Sequence, residues 1–254
     1  MWIVPSAGGR PPARPEPLRR GEGPLARLME ACRKTGMTGE AFCLLDITCD
    51  RARLEVPETW TVVPALSRVS PAEAARLAML ARPDAEHYGI LTDDHVPRTK
   101  SWDRALGLAA GRWNVAYCND LVHAGRDPRT GTAKVTGAVC LGGDLVREMG
   151  AAIPEGMTLA DARRAWMALG RSLGLLRYLP GVVVERRRGE KGPFEHPDEC
   201  AEGRARLFRW LNDEHRPLAR RLRFAISHAA RLRRGEAPAS PRQATRANHA
   251  HRAV

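Results

Sequence analysis

Long apolar runs are missing from this sequence of 254 residues. No stretch approaches 18 apolar residues, so no membrane-spanning helix is expected. No basic-apolar-small leader opens the chain, and a cytoplasmic setting is the expectation. Six cysteines (32, 43, 49, 118, 140 and 200) form no CxxC pair and no metal-finger spacing; those in apolar runs read as small buried hydrophobes in a reducing compartment. No G-x-G-x-x-G follows the first apolar run, where Gly8-Gly9 alone is too little for a dinucleotide site, and neither a P-loop nor a G-x-S-x-G elbow occurs. Histidines 196, 215, 228, 249 and 251 have no ligand spacing beyond the close pair 249/251. Lysine is scarce too: four residues (34, 100, 134 and 191) among 41 basic ones.

Arginine therefore carries the charge. Residues 216–254 hold ten arginines against Glu236, which is +9 of the total +12 and leaves +3 on the other 215 residues. Such a tail suits an electrostatic contact with a polyanion, and a nucleic-acid-binding protein led by its tail is one reading. A GC-rich genome would leave the same arginine bias. Few aromatics accompany these arginines (Phe208, Trp210 and Phe224), and Leu218, Leu222 and Ile226 at four-residue spacing read as a helix face docked on the body.

Short apolar runs alternate with helical patterns. Strands are expected at 2–4, 42–45, 60–63, 88–91, 114–118, 133–141 and 182–184. Helices are expected at 24–34, closed by Thr35-Gly36, at 71–82, opened by Ser70-Pro71, and at 101–110, 144–149, 159–173 and 202–234. Apolar strands alternating with helices predict an α/β fold with a mostly parallel central sheet covered on both faces. Residues 235–254 lack an apolar period and read as disordered.

Three of the expected strands end in acids: Asp46, Asp93-Asp94 and Asp120. In a parallel sheet these ends share one edge, where such sheets bind ligands. Adjacent carboxylates repel unless a cation lies beside them. Asp93-Asp94-His95 therefore reads as a divalent-metal site holding something anionic. The plainer alternative is that one acid caps the turn and the other is solvated.

The segment from Tyr88 through Asp93-Asp94-His95-Val-Pro-Arg-Thr-Lys-Ser-Trp102-Asp103 resembles that of family-2-like glycosyltransferases with a GT-A fold, in particular a bacterial and phage subset. Trp2–Arg10, Asp46, Val115–Asp120, Gly142–Gly150 and Trp166–Glu185 extend the resemblance over most of residues 1–190. It implies a GT-A-like nucleotide-sugar-binding domain over 1–190; the charged loop and helical extension read at 191–234 lie outside the resemblance. It further implies transfer of a sugar from a nucleotide-diphosphate donor to a glycan, protein or small-molecule hydroxyl. Mn²⁺ or Mg²⁺ would sit on Asp93, Asp94 and His95, bridging the two phosphates. Pro5, Ser6, Arg10 and Asp46 would line the nucleotide, with Asp93 and Arg186 toward the diphosphate.

Two positions depart from the family pattern. An acid is expected three residues before Trp166, where Arg163 stands, with Asp161 the nearest carboxylate. A metal-binding histidine is expected after Val-x-Glu, where Arg186 stands. A fixed cation cannot ligate a metal, but it can contact the diphosphate directly. The base then falls to Asp120, Asp144 or Asp161, and the spacing chooses none of them. Donor binding is thus better supported than transfer. The alternatives are an impaired relative that binds nucleotide without transfer, and a nucleotidyltransferase using the same metal logic.

Overall fold

Alternate residues along each central strand feed two separate cores. Ile3, Phe42, Leu44, Val115 and Tyr117 belong to one; Trp2, Val4, Cys43, Leu45, Ala116 and Cys118 belong to the other. That period of two is what a sheet buried on both faces requires. The computed structural model describes residues 1–6, 23–46, 56–65, 70–122, 135, 137–187 and 197–234.

The strands are β1 (Trp2–Ser6), β2 (Ala41–Asp46), β3 (Trp60–Ala65), β4 (His87–Ile90), β5 (His95–Pro97), β6 (Val115–Asn119), β7 (Val139–Gly142) and β8 (Leu176–Arg186). They form one eight-stranded sheet in the order β3-β2-β1-β4-β7-β6-β8-β5. β1, β2, β3 and β4 run parallel. β7 runs antiparallel between β4 and β6, β6 and β8 are again parallel, and β5 closes the far edge antiparallel to β8. The sheet is therefore mixed, with one reversed strand at its centre.

Helices α1 (Pro24–Lys34) and α3 (Trp102–Ala110) cover one face through Leu25, Leu28, Trp102 and Leu106. Trp2 and Trp102 meet there, ring centroids 4.4 Å apart. Opposite Trp2 in the sheet stands Gly89, where an added Cβ would lie 2.2 Å from the indole. Only glycine admits that ring.

The other face carries α2 (Pro71–Ala81), α4 (Gly143–Met149) and α5 (Leu159–Leu173). The expected cap of α2 is present, with Ser70 Oγ accepting from Glu73 N at 3.1 Å. Thr158 caps α5 in the same way. The helix expected at 202–234 divides into α6 (Pro197–Arg209), a π-helical stretch Trp210–Glu214, and α7 (His215–Arg233). Pro217 offers no N–H to the preceding turn, and the wider stretch just before it absorbs that missing bond. Leu207, Trp210, Leu218 and Leu222 pack into the α5 core, so the extension is docked through its apolar stripe.

Two strands differ in extent from expectation. β8 continues through Pro180-Gly181 to eleven residues, and β7 begins at Val139 within the run expected at 133–141, of which residues 133, 134 and 136 lie outside the described residues. No helix among the described residues is long and apolar enough to cross a membrane. Cys32, Cys43, Cys118 and Cys140 are buried, and burial pushes Cys118 and Cys140 up to about 12. Cys49, the charged loop at 188–192 and residues 235–254 lie outside the described residues.

Candidate functional site

Strand direction decides which acids meet. β1, β2, β4, β6 and β8 all end at one edge of the sheet. Ser6 and Asp46 take the last positions of β1 and β2 there, with Pro5 buried just inside. Beyond β4 comes the turn Thr92–Asp94, beyond β6 comes Asp120, and β8 ends on Arg186. Two backbone bonds tie these ends together: Arg186 N–H donates to the Asp120 carbonyl at 3.1 Å and Arg187 N–H to the Asp94 carbonyl at 3.0 Å.

Side chains complete the cluster. Arg186 Nε donates to Asp94 Oδ2 at 2.8 Å. The Thr92 hydroxyl donates to Asp94 Oδ1, so both carboxylate oxygens have partners. Burial alone would raise the Asp94 carboxyl, but His95, Thr92 and Arg186 outweigh it and hold the group at about 2. Asp93, beside it, is half-buried. Asp120 is buried, and its Oδ1 accepts from Val122 N at 3.0 Å. Leu121 between them holds φ 60°, an uncommon conformation for a bulky residue and one that recurs at functional sites.

Arg163 reaches this cluster from α5. Its Nη2 donates to the Gly137 carbonyl at 3.1 Å, and Gly137 lies against Asp120. Its Nε is buried with no hydrogen-bond partner among the described residues. Burial, then the like charge of Arg186, lowers the Arg163 guanidinium to about 10, against the opposing pull of Asp94 and Asp120. The sequence marks Arg163 only as a departure from an expected acid; its place beside Asp94 and Arg186 emerges from the fold.

Two of the three candidate bases are held by other partners. β7 runs antiparallel, so its carboxyl end and the following Asp144 sit at the opposite edge of the sheet. There Asp144 pairs with Arg112 and with Arg147 Nη2 at 2.6 Å. Asp161 accepts from the Thr158 hydroxyl and from Arg164 Nη1, each at 2.7 Å, and packs against Gly203 of α6. Two residues along a helix is about 200° of rotation. Asp161 and Arg163 therefore face different surroundings. Arg10 lies outside the described residues.

His95 is enclosed rather than presented. Its ring has no exposed surface, its Nδ1 lies 3.0 Å from the donating Thr92 N and 2.6 Å from Thr92 Oγ1, and its Nε2 is buried without a partner among the described residues. Burial lowers the imidazole to about 4, so the ring is neutral at pH 7 and braces the turn. A hard divalent ion wants several open oxygen ligands. Here both Asp94 oxygens are engaged, His95 offers no nitrogen to the crevice, and two guanidiniums stand alongside. Among the described residues no group of three or more acids, histidines and cysteines gathers to hold a metal. The residues present do not fit a resident divalent ion.

The order of strands, with one reversed strand between two parallel sets and acids at the shared edge, decides the fold. It is GT-A-like. S. aureus TarS superposes with a TM-score of 0.50 at 12% identity, over 84% of this chain and 40% of that one. TarS 1-349 in complex with UDP-GlcNAc gives 0.50 at 11% identity, over 77% of this chain and 61% of that one. A CMP:2-keto-3-deoxy-manno-octonic acid synthetase complexed with CTP gives 0.46 at 14% identity, over 82% and 97%. The chain thus spans roughly half the length of the TarS structures that it matches. No protein-family model and no curated protein matches the sequence.

Proposed function

We propose that this chain is a glycosyltransferase that takes a sugar from a nucleotide-diphosphate donor to an acceptor hydroxyl. The observation that carries this is the convergence of Asp94, Asp120, Arg163 and Arg186 at the edge where β1 and β2 end. Ligands of α/β sheets bind at that edge. TarS is described in complex with UDP-GlcNAc, which makes UDP-sugars the first donors to test.

In this reading the nucleotide lies over the ends of β1 and β2, near Pro5, Ser6 and Asp46, and the diphosphate lies toward Asp93, Asp94 and Arg186. The acceptor oxygen attacks the anomeric carbon. The bond from that carbon to the phosphate oxygen breaks, and its electron pair leaves with the nucleoside diphosphate. Asp120, the candidate base that lies beside Arg163 and Arg186, takes the hydroxyl proton.

A panel of nucleotide sugars assayed for release of nucleoside diphosphate tests the proposal. One donor should turn over, and Asp120→Asn should lower kcat by about a hundredfold or more with KM changed little. A panel in which no nucleotide sugar or nucleoside diphosphate shifts the unfolding temperature would overturn it. One observation favours a second reading, donor binding without transfer: Arg163 stands where the family resemblance calls for an acid. Binding with no turnover of any donor would select it.

A further inference from the structure

We propose that Arg163 and Arg186 form a built-in cation site that receives the donor's diphosphate directly, so that this chain binds nucleoside diphosphates without a divalent ion. The inference rests on the donor-binding reading above and concerns how the same site handles charge.

Arg186 is anchored by one nitrogen only. Its Nε holds Asp94 Oδ2 at 2.8 Å, and among the described residues its two terminal nitrogens have no partner. With 35% of the side chain exposed, the guanidinium is accessible to an anion. Arg163 is anchored at the Gly137 carbonyl and keeps a buried Nε that has no partner among the described residues. An unpaired donor on a buried cation is a costly arrangement unless a ligand meets it.

Arg186 is close enough for its positive charge to contribute, after burial, to the lowering of Arg163. An anion placed between them removes that repulsion. A pair of phosphate oxygens matches the planar fork of a guanidinium bidentately, which the point charge of an ammonium does not offer. A divalent ion in the same space would instead face two fixed positive charges, with Asp94 already committed to Arg186 and Thr92.

The chemistry follows from this placement. As the anomeric bond breaks, the electron pair arrives on the terminal phosphate oxygen, and the guanidiniums stabilise the charge where it grows. They keep their own protons throughout. The acceptor hydroxyl forms the new bond to carbon and gives its proton to a carboxylate.

Calorimetric titration of the full chain with UDP, GDP, CDP and ADP, in EDTA and again with Mn²⁺, tests the proposal. The best-bound diphosphate should have a Kd in EDTA within about threefold of its Kd with Mn²⁺, and its parent nucleoside should bind at least about tenfold more weakly. Arg186→Gln and Arg163→Gln should each weaken binding in EDTA by about tenfold or more, and Arg186→Lys, which keeps the charge but loses the fork, by less. Binding that appears only with Mn²⁺ would overturn the inference and leave the donor reading intact. Binding in EDTA that neither arginine affects would overturn it as well. If no nucleoside diphosphate binds under either condition, the donor reading itself fails and this inference with it. Should one glutamine variant not fold, Arg186→Lys and the EDTA comparison on the unaltered chain still decide the outcome.

Discussion

Arg186 Nε donates to Asp94 Oδ2 at 2.8 Å across 92 residues of sequence. The bond joins the end of β8 to the turn after β4, so it serves the fold and the site together. A double-mutant cycle with Asp94→Asn and Arg186→Gln should give a coupling of about 1 kcal/mol, modest because Arg186 is partly exposed. Urea unfolding of the four proteins measures it. Additive losses would show that the two side chains do not sense each other.

Replacing the cation with a ligand should change what the site accepts. Arg186→His removes one guanidinium and frees one oxygen of Asp94. It adds an imidazole of the kind that binds Mn²⁺ beside carboxylates. The variant should gain a Mn²⁺-dependent rise in unfolding temperature in the presence of the best-bound nucleoside diphosphate, where the unaltered chain shows little. An equal response from both proteins would count against the crowding of the site by fixed cations.

His95 makes stability depend on pH. Its ordinary value is 6.5, and burial lowers it to about 4 in the native chain. Between those limits the unfolded chain takes up a proton that the native ring refuses, so stability rises with pH across the window and is complete above it. The swing amounts to about 3 kcal/mol. Asp94, held at about 2 against an ordinary 3.8, contributes stability that is lost only as pH falls further, from 3.8 toward 2. Urea midpoints taken at intervals from about pH 4 to pH 7 should trace the histidine slope, and His95→Asn should flatten it whatever its overall cost.

The Trp102-Asp103 end of the segment that carries the family resemblance is structural. Asp103 Oδ2 accepts from Thr38 N at 2.9 Å and Gly39 N at 2.8 Å, pinning the loop before β2 onto α3. Asp103→Ala leaves two amides unpaired and should cost about 2–4 kcal/mol. At temperatures where the variant is folded, nucleoside diphosphate binding should match that of the unaltered chain. A selective loss of binding with stability unchanged would instead put Asp103 in the site.

These residues show what the sequence could and could not disclose. The limits of α1 and α5 match expectation because Pro24 and the Thr158 cap act locally. The acids after β2, β4 and β6 were legible as strand ends for a similar reason. The direction of β7 was not legible, since antiparallel pairing with β4 and β6 is fixed by partners distant in sequence. That single reversal sends Asp144 to the far edge. β5, three residues long, gave no periodicity to detect. His95 looked like a ligand because a polar residue beside two acids carries no sign of burial. Arg163 was visible only as an oddity until α5 was placed against Asp120 and Arg186.

α7 separates the charge of the helical extension from its packing. Leu218 and Leu222 are buried in the α5 core, whereas Arg216, Arg220 and Arg231 are exposed. A truncation at residue 215 removes both features and cannot tell them apart. Leu222→Ala should cost about 2–4 kcal/mol by leaving a cavity. Arg216→Gln, Arg220→Gln and Arg231→Gln combined should leave the urea midpoint nearly unchanged. If the extension binds a polyanion, the triple variant should elute earlier from heparin, and its log K against log salt slope should fall by about 0.9 for each phosphate that the helix no longer neutralises. An unchanged slope would remove α7 from any polyanion binding and leave it as a buttress for α5, the helix that carries Arg163.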